Sequence, residues 1–272
     1  MDDAVTHPPV HGIPALGLGT WKNTDFGACV GSVRHALDVG YRHIDTAQYY
    51  GNEEAVGEGI RTSTVPRKDI FLASKVWFDN LAYEDVIRTT KASLDRLRVE
   101  SVDMMYVHWP ADEYDPEETL AAFAALRDDG LVSHIGVSNF TPELLSEARE
   151  TCDAPISANQ VEMHPLLQQP ELREYCARHD IALVAYSPLM HGDVEEVPQV
   201  REVAAKHETT PEQVTLAWLL EKGVVPIPKA TGRAHIEQNW KSQFLDLDAE
   251  DVALIDGIQQ ERRLGDPQFA PW

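Results

Sequence analysis

Three cysteines in 272 residues, Cys29, Cys152 and Cys176, are odd in number and far apart. They form no CxxC pair, which excludes a disulfide framework and a cysteine zinc site and leaves reduced, structural thiols. The eleven histidines contain no HExxH, and no metal centre is predicted. No run of about 18 apolar residues occurs, so no bilayer span is expected. The opening MDDAVTHPPV lacks the apolar core of a secretory signal, and a cytoplasmic location is expected. Two phosphate-binding fingerprints are also missing. There is no GxxxxGK[ST], and GLGTWK (17–22) begins like GxGxxG but carries Lys22 in place of the third glycine. Lysine is scarce, with eight against fifteen arginines and 45 acids, and the net charge is −22. Such a surface repels nucleic-acid phosphates and anionic lipid, which excludes both as partners. The acids are spread along the chain, as on a folded surface. An acid-rich, lysine-poor surface points to a halophilic cell, where screening shortens to about 3 Å at 1 M salt.

Short apolar runs alternate with longer amphipathic ones. Strands are predicted over 14–20, 41–45, 69–76, 102–109, 133–140, 156–162, 181–189 and 223–229. Most lack polar alternation, as strands buried on both faces of a parallel sheet do. Helices are predicted over 26–39, 52–62, 84–97, 116–129, 142–151, 169–179, 195–220 and 233–243. Thr141–Pro142 is an N-cap followed by proline at the first helical position, and Thr210–Pro211 repeats it, dividing 195–220 into two helices. Eight strands alternating with eight helices, with no linker, predict a single-domain (β/α)8 TIM barrel over 1–272; an open doubly wound sheet is the alternative. A further C-terminal helix is expected over 248–258. The tail 259–272 has no assignable structure and is expected to form a substrate loop.

In a barrel, chemistry sits where strands end and loops begin. The predicted strands end at Asp45, Lys75, His108, Ser138–Asn139, Gln160, Tyr186 and Lys229. Singly, each is ordinary: His108 as a satisfied core histidine, Lys75 as a snorkelling side chain. Seven at one rim are not explained by packing. They suggest proton donation beside a carbonyl. A phenol has a pKa near 10, and a neighbouring Lys75 ammonium, itself held charged by Asp45, is expected to lower it. His108 supplies a hydrogen bond to the same carbonyl oxygen. Tyr49 and Tyr50 both lie close to Asp45 in the sequence. A reductive role needs a hydride source, and a nicotinamide fits: Tyr186 stacks on the ring, Ser138, Asn139 and Gln160 meet the carboxamide, and Lys229 precedes a helix N-terminus that attracts phosphate. Two competing readings are a lyase or aldolase with a Schiff base on Lys75, and a nucleotide-binding protein without turnover.

The motifs LGLGTWK (16–22), DTAQYYGNE (45–53), SKVW (74–77), HWP (108–110), GVSNF (136–140), NQVEMHP (159–165), AYSPL (185–189) and IPK (227–229) span nearly the whole chain. In this order they resemble the aldo-keto reductases, within them the prokaryotic group that includes diketogluconate reductases. The resemblance implies a barrel without a Rossmann domain, reducing aldehydes and ketones with NADPH, and commonly a monomer. It places a catalytic tetrad on Asp45, Tyr50, Lys75 and His108, which selects Tyr50 over Tyr49. It implies cofactor contacts at Gly19, Thr20, Trp21, Ser138, Asn139, Gln160, Tyr186, Ser187, Pro188, Leu189, Lys229, Ala230, Thr231, His235, Gln238 and Asn239. Trp21, Tyr49, Trp77, Trp109 and Trp272 are expected to line the carbonyl pocket, which suits small or medium substrates such as keto-sugars and dicarbonyls.

One segment departs from the pattern of the resemblance. Where it has IPKS, an arginine six residues after the lysine and a Glu-Asn pair, this chain reads IPKATGRAHIEQNW. Lys229 is kept, the serine is Ala230, the arginine is His235, and the pair is Gln238–Asn239. Losing a guanidinium fork weakens the grip on the 2′-phosphate of NADPH. Use of NADH beside NADPH is therefore expected, with Arg233 as a substitute cation.

Overall fold

The computed structural model describes residues 7–111, 114–152 and 154–272; residues 1–6, part of the N-terminal stretch read above, lie outside them. Eight parallel strands follow one another around a barrel: β1 (Gly17–Gly19), β2 (His43–Asp45), β3 (Phe71–Val76), β4 (Val102–Val107), β5 (Val132–Ser138), β6 (Ile156–Glu162), β7 (Ala182–Tyr186) and β8 (Val225–Pro226). The ring closes where Gly19 bridges to Lys229 and donates its N–H to the carbonyl of Pro228 at 3.1 Å. A Cβ at Gly19 would meet the carbonyl oxygen of Ile227 at 2.6 Å, so glycine is what allows this approach.

The α-helices among the described residues, of which α9 and α10 follow β8, are α1 (Phe26–Val39), α2 (Glu53–Arg61), α3 (Tyr83–Leu97), α4 (Pro116–Asp128), α5 (Pro142–Thr151), α6 (Pro170–Arg178), α7 (Pro198–Lys206), α8 (Pro211–Glu221), α9 (Arg233–Lys241) and α10 (Ala249–Asp256). Thr141 and Thr210 cap α5 and α8 by accepting the N–H groups of Leu144 and Gln213, so residues 195–220 do hold two helices. A reciprocal Asp248–Asp251 box starts α10. Lys206 pins that start through Asp248 and Asp251 at 2.6 and 2.7 Å.

Several strands are shorter than the apolar runs suggest. β8 has two residues because Pro226 and Pro228 bring no N–H to the ladder. β7 ends at Tyr186, where Ser187 turns to a φ of 48° ahead of Pro188. Inside the barrel Phe71, Met104, Tyr106, Val184, Val225 and Ile227 fill the interior, while a larger apolar layer joins the strands to the helices. The packed interior directs any chemistry to the end of the barrel where the strands finish.

Candidate active site

Asp45 ends β2 and Lys75 lies near the end of neighbouring β3, and both are fully buried. Lys75 Nζ donates to Asp45 Oδ1 at 2.5 Å and to the carbonyl of Thr46 at 2.8 Å. The other carboxylate oxygen, Oδ2, accepts from Gln160 Nε2 at 2.8 Å. Burial is the largest influence on both charges, pushing Asp45 up and Lys75 down, and their mutual attraction opposes it in each.

Tyr50 sits on a single helical turn after β2, with its Oη 3.3 Å from Lys75 Nζ. Tyr49 beside it is 60% exposed and stacks on Trp77 with ring centroids 3.9 Å apart, so the two phenols have separate environments. The ammonium is where the sequence led one to expect it, but its expected effect is not met. Burial first, and the Asp45 carboxylate second, push the Tyr50 phenol well above its ordinary range. Lys75 is already engaged by Asp45, which returns a negative charge to the neighbourhood of the ring.

His108 follows β4 and is buried, edge-on to Tyr50 and to Trp77 with centroids 5.8 and 5.0 Å away. Burial and the Lys75 charge hold its imidazole well below the usual 6.5, so the ring is neutral. Its Nδ1 is buried with no partner among the described residues.

The residues expected around a nicotinamide form a bonded cluster at the same rim. Tyr186 Oη donates to Asn139 Oδ1 at 2.9 Å, and Asn139 Nδ2 donates to the carbonyl of His108 and to Ser138 Oγ, each at 3.1 Å. Ser138 Oγ donates to the carbonyl of Gln160 at 2.8 Å. Asn139 itself takes a left-handed φ of 65°. Gly19, Thr20 and Trp21 lead out of β1, with Thr20 Oγ1 donating to the Asp45 carbonyl at 2.9 Å. Ser187, Pro188 and Leu189 leave β7 in a loop with three further left-handed non-glycine residues, Ser187, Met190 and His191. His191 faces Trp21 across the mouth, ring centroids 5.6 Å apart.

The segment after β8 is divided. Lys229, Thr231 and His235 are exposed, and Ala230 is buried. Gln238 is turned away to donate to Thr210 Oγ1 at 2.8 Å, and Asn239 is buried. Arg233 Nε donates to His35 Nδ1 at 3.3 Å, which draws the expected substitute cation toward α1.

Trp77, Trp109 and Trp272 do gather. Phe269 lies between Trp77 and Trp109 at 6.3 and 5.3 Å, and Trp272 lies 5.7 Å from Trp109. Phe269 was not singled out from the sequence, because the tail has no periodicity to place it. Glu162 was also missed. It is fully buried at the end of β6, where it accepts from His164 Nε2 and from the backbone of Leu264 and Gly265. An acid closing β6, two residues after the rim residue Gln160, was the available signal. Cys29 and Cys176 are buried away from this site, and burial pushes their thiols to about 11 and about 12, so they are unreactive.

Residues 15–260 match the model of the aldo/keto reductase family. The chain is similar to methylglyoxal reductase DkgB of Escherichia coli O157:H7, 40% identical over 259 residues that cover 94% of this chain and 97% of that protein. It is similar to glyoxal reductase of Bacillus subtilis (strain 168), 39% identical over 93% of this chain and 91% of that one. It also resembles the crystal structure of MGS-M4, an aldo-keto reductase enzyme from a Medee basin deep-sea metagenome library, with a TM-score of 0.89 and 35% identity over 93% of this chain and 94% of that chain.

Proposed function

From the premise that this chain belongs to the aldo/keto reductase family and is an oxidoreductase acting on carbonyl groups, we propose that it reduces small to medium aldehydes and ketones to alcohols, with Tyr50 as the general acid. The observation that carries the reading is the contact of Tyr50 Oη with Lys75 Nζ at 3.3 Å, beside neutral His108 at the barrel mouth. The residues present fit a nicotinamide nucleotide. Ser138, Asn139 and Gln160 offer hydroxyl and amide groups beside the half-exposed ring of Tyr186. Lys229 is exposed, without an ion pair among the described residues, just ahead of the α9 N-terminus. When bound, the nucleotide supplies the hydride.

The chain's own groups handle the oxygen. Tyr50 and His108 hold the carbonyl oxygen between them, which polarises it and orients the carbon. As negative charge grows on that oxygen, Tyr50 passes its proton across. A raised phenolic pKa does not forbid this, because the acceptor is a developing alkoxide, a stronger base than phenolate. Lys75 then stabilises the phenolate, with Asp45 and the Thr46 carbonyl fixing where the ammonium points. Trp77 and Trp109 supply apolar walls that limit water at the oxygen.

NADPH is the proposed cofactor, with weak discrimination against NADH. Lys229 is the exposed cation near the expected phosphate, His235 replaces a guanidinium, and Arg233 leans away on His35. The tail 259–272 is the proposed substrate loop, since it brings Phe269 and Trp272 to the pocket wall. A monomer in a salt-rich cytoplasm is the proposed setting.

The test is the loss of absorbance at the nicotinamide band with aldehydes, dicarbonyls and keto-sugars, using NADPH and NADH in turn. Turnover should fall by about 10²-fold or more in Tyr50→Phe while nucleotide binding persists. Full activity in that variant would refute the assignment, and a cofactor preference above about a thousandfold would refute the weak discrimination.

A further inference from the structure

Arg233 is the first residue of α9 and Glu237 lies four residues on, the spacing at which opposite charges on a helix pair directly. No direct ion pair joins these two. His35 of α1 is set between them instead. Its Nε2 meets Glu237 Oε1 at 2.9 Å, and its Nδ1 accepts from Arg233 Nε at 3.3 Å. One tautomer satisfies both bonds, with the proton on Nε2 and the lone pair on Nδ1. The His35 side chain is only 11% exposed, so packing holds the ring in place, whereas Arg233 is exposed.

The Nη1 and Nη2 groups of Arg233 make no hydrogen bond or ion pair among the described residues, so the forked edge that suits a phosphate is unspent. The residue also has space to turn. With Thr231 it lines a cavity of about 320 Å³ between α1 and the start of α9. Lys229, the exposed cation proposed for the nucleotide phosphate, lies four residues before it. Three other charged or titratable groups border this tether. Arg34 and Asp38 of α1 line the same cavity, and His235 is exposed on α9. Asp38 is the competitor for a freed guanidinium; its Oδ1 accepts from Thr64 Oγ1 at 3.4 Å.

We infer that His35 is a positioning residue that withholds Arg233 from the 2′-phosphate of NADPH, so that weak discrimination against NADH is set by a contact on α1 as well as by the residues after β8. This rests on the nicotinamide-nucleotide reading above. His35 acts only through Arg233, which gives up one hydrogen bond before it meets a phosphate. A bond of that kind shifts an equilibrium by about threefold to tenfold.

The experiment measures dissociation constants of NADPH and NADH by quenching of tryptophan fluorescence at one salt concentration. Three proteins are compared: wild type, His35→Leu/Glu237→Gln, and that pair with Arg233→Gln added. Glu237→Gln is included because a freed Arg233 would otherwise pair with Glu237. Release should tighten NADPH by about threefold to tenfold and leave NADH unchanged, and Arg233→Gln should cancel the gain. The NADPH-to-NADH ratio of kcat/KM should move the same way. An unchanged NADPH constant overturns the inference, whether Arg233 stays in place or turns to Asp38. A gain that survives Arg233→Gln overturns it too, because the charge removed at Glu237 would then be the cause. Equal changes for both nucleotides also overturn it, since no phosphate ligand would have been freed. If the wild type binds neither nucleotide, the nicotinamide reading itself fails; binding without a shift in the variant sinks this inference alone.

Discussion

Gly265 donates its backbone N–H to Glu162 Oε2 at 2.7 Å, and Leu264 beside it donates to Oε1 at the same distance. A buried carboxylate thus grips two successive amides of a segment 102 and 103 residues away. A Cβ at Gly265 would come to 3.1 Å from Glu162 Oε2 and 3.3 Å from Tyr186 Oη, so the tail backbone runs against both. In Glu162→Gln an amide nitrogen, itself a donor, confronts these donors, and at least one bond is lost. A hydrogen bond to a charged group contributes about 1.5–3 kcal/mol. Amide exchange at Leu264 and Gly265 should therefore quicken by about tenfold or more, and KM for carbonyl substrates should rise more than kcat falls. Hydrogen-exchange mass spectrometry over 262–266 checks the first effect; protection equal to wild type would remove Glu162 as the anchor.

Removing Lys75 leaves Asp45 charged and buried with Gln160 as its one remaining side-chain partner among the described residues. Breaking one side of a buried pair costs about 3–5 kcal/mol, whereas replacing both sides is often far milder. Lys75→Met should lower unfolding stability in that range, and Asp45→Asn added to it should recover part of the loss. Urea unfolding of the two variants against wild type measures this. A double variant no more stable than Lys75→Met would mean that Asp45 is not charged in the folded protein.

What the sequence carried about this site follows from where its signals lie. Asp45, Lys75 and His108 stand out because each interrupts an apolar strand at its end, and parallel neighbours then bring strand ends together without further information. Gln160 was legible as a rim residue but not in its contact. Its bond to Asp45 crosses the barrel, and no spacing rule relates positions 115 residues apart. The Glu162 clamp is harder still, because its partners are backbone N–H groups that every residue except proline possesses. Strand lengths were over-read where prolines cut the ladder, as in β8. The pKa of Tyr50 was misjudged because a pairwise argument from Lys75 left out burial and the returning charge of Asp45.

That pKa has a consequence for rate against pH. Tyr50 must be protonated to donate, and its pKa lies well above the ordinary phenolic value near 10, so its proton is kept through the neutral and mildly alkaline range. His108 is neutral down to well below 6.5. The kcat/KM for reduction should be nearly flat from about pH 7 to 9, and should fall only as the phenol loses its proton at higher pH. A descending limb centred near pH 7 to 8 would instead mean that the occupied site lowers the phenol.

Charge and salt are linked through the surface. With a net charge of −22, self-repulsion weakens the compact state at low ionic strength. Screening over about 3 Å at 1 M salt removes most of it. The thermal midpoint should rise by several degrees between dilute buffer and molar KCl, by calorimetry or circular dichroism; a midpoint indifferent to salt would argue against a halophilic setting.

Acid should destabilise the protein earlier than its carboxylates alone require, and His43 is the reason. It is fully buried on β2, two residues before Asp45, edge-on to Phe71 at 5.2 Å, and neither ring nitrogen has a partner among the described residues. Burial, and then the Lys75 charge, bring its pKa down to about 3. In the unfolded chain the same imidazole titrates near 6.5. Above pH 6.5 neither state takes the proton and stability is unaffected. Below it the unfolded chain binds a proton that the folded one refuses, so stability falls by about 1.4 kcal/mol per pH unit per group until about pH 3. Buried, neutral His108 adds to the slope in the same direction. Ordinary carboxylates have their midpoints near 4, so the histidines weigh most in the upper part of the window from pH 6.5 to 5. His43→Phe, which keeps a ring against Phe71 without the nitrogens, should remove one group's share of that slope. Urea unfolding at pH 7, 6 and 5 reads it directly, and parallel slopes for wild type and His43→Phe would show that the imidazole takes up its proton in the folded barrel after all.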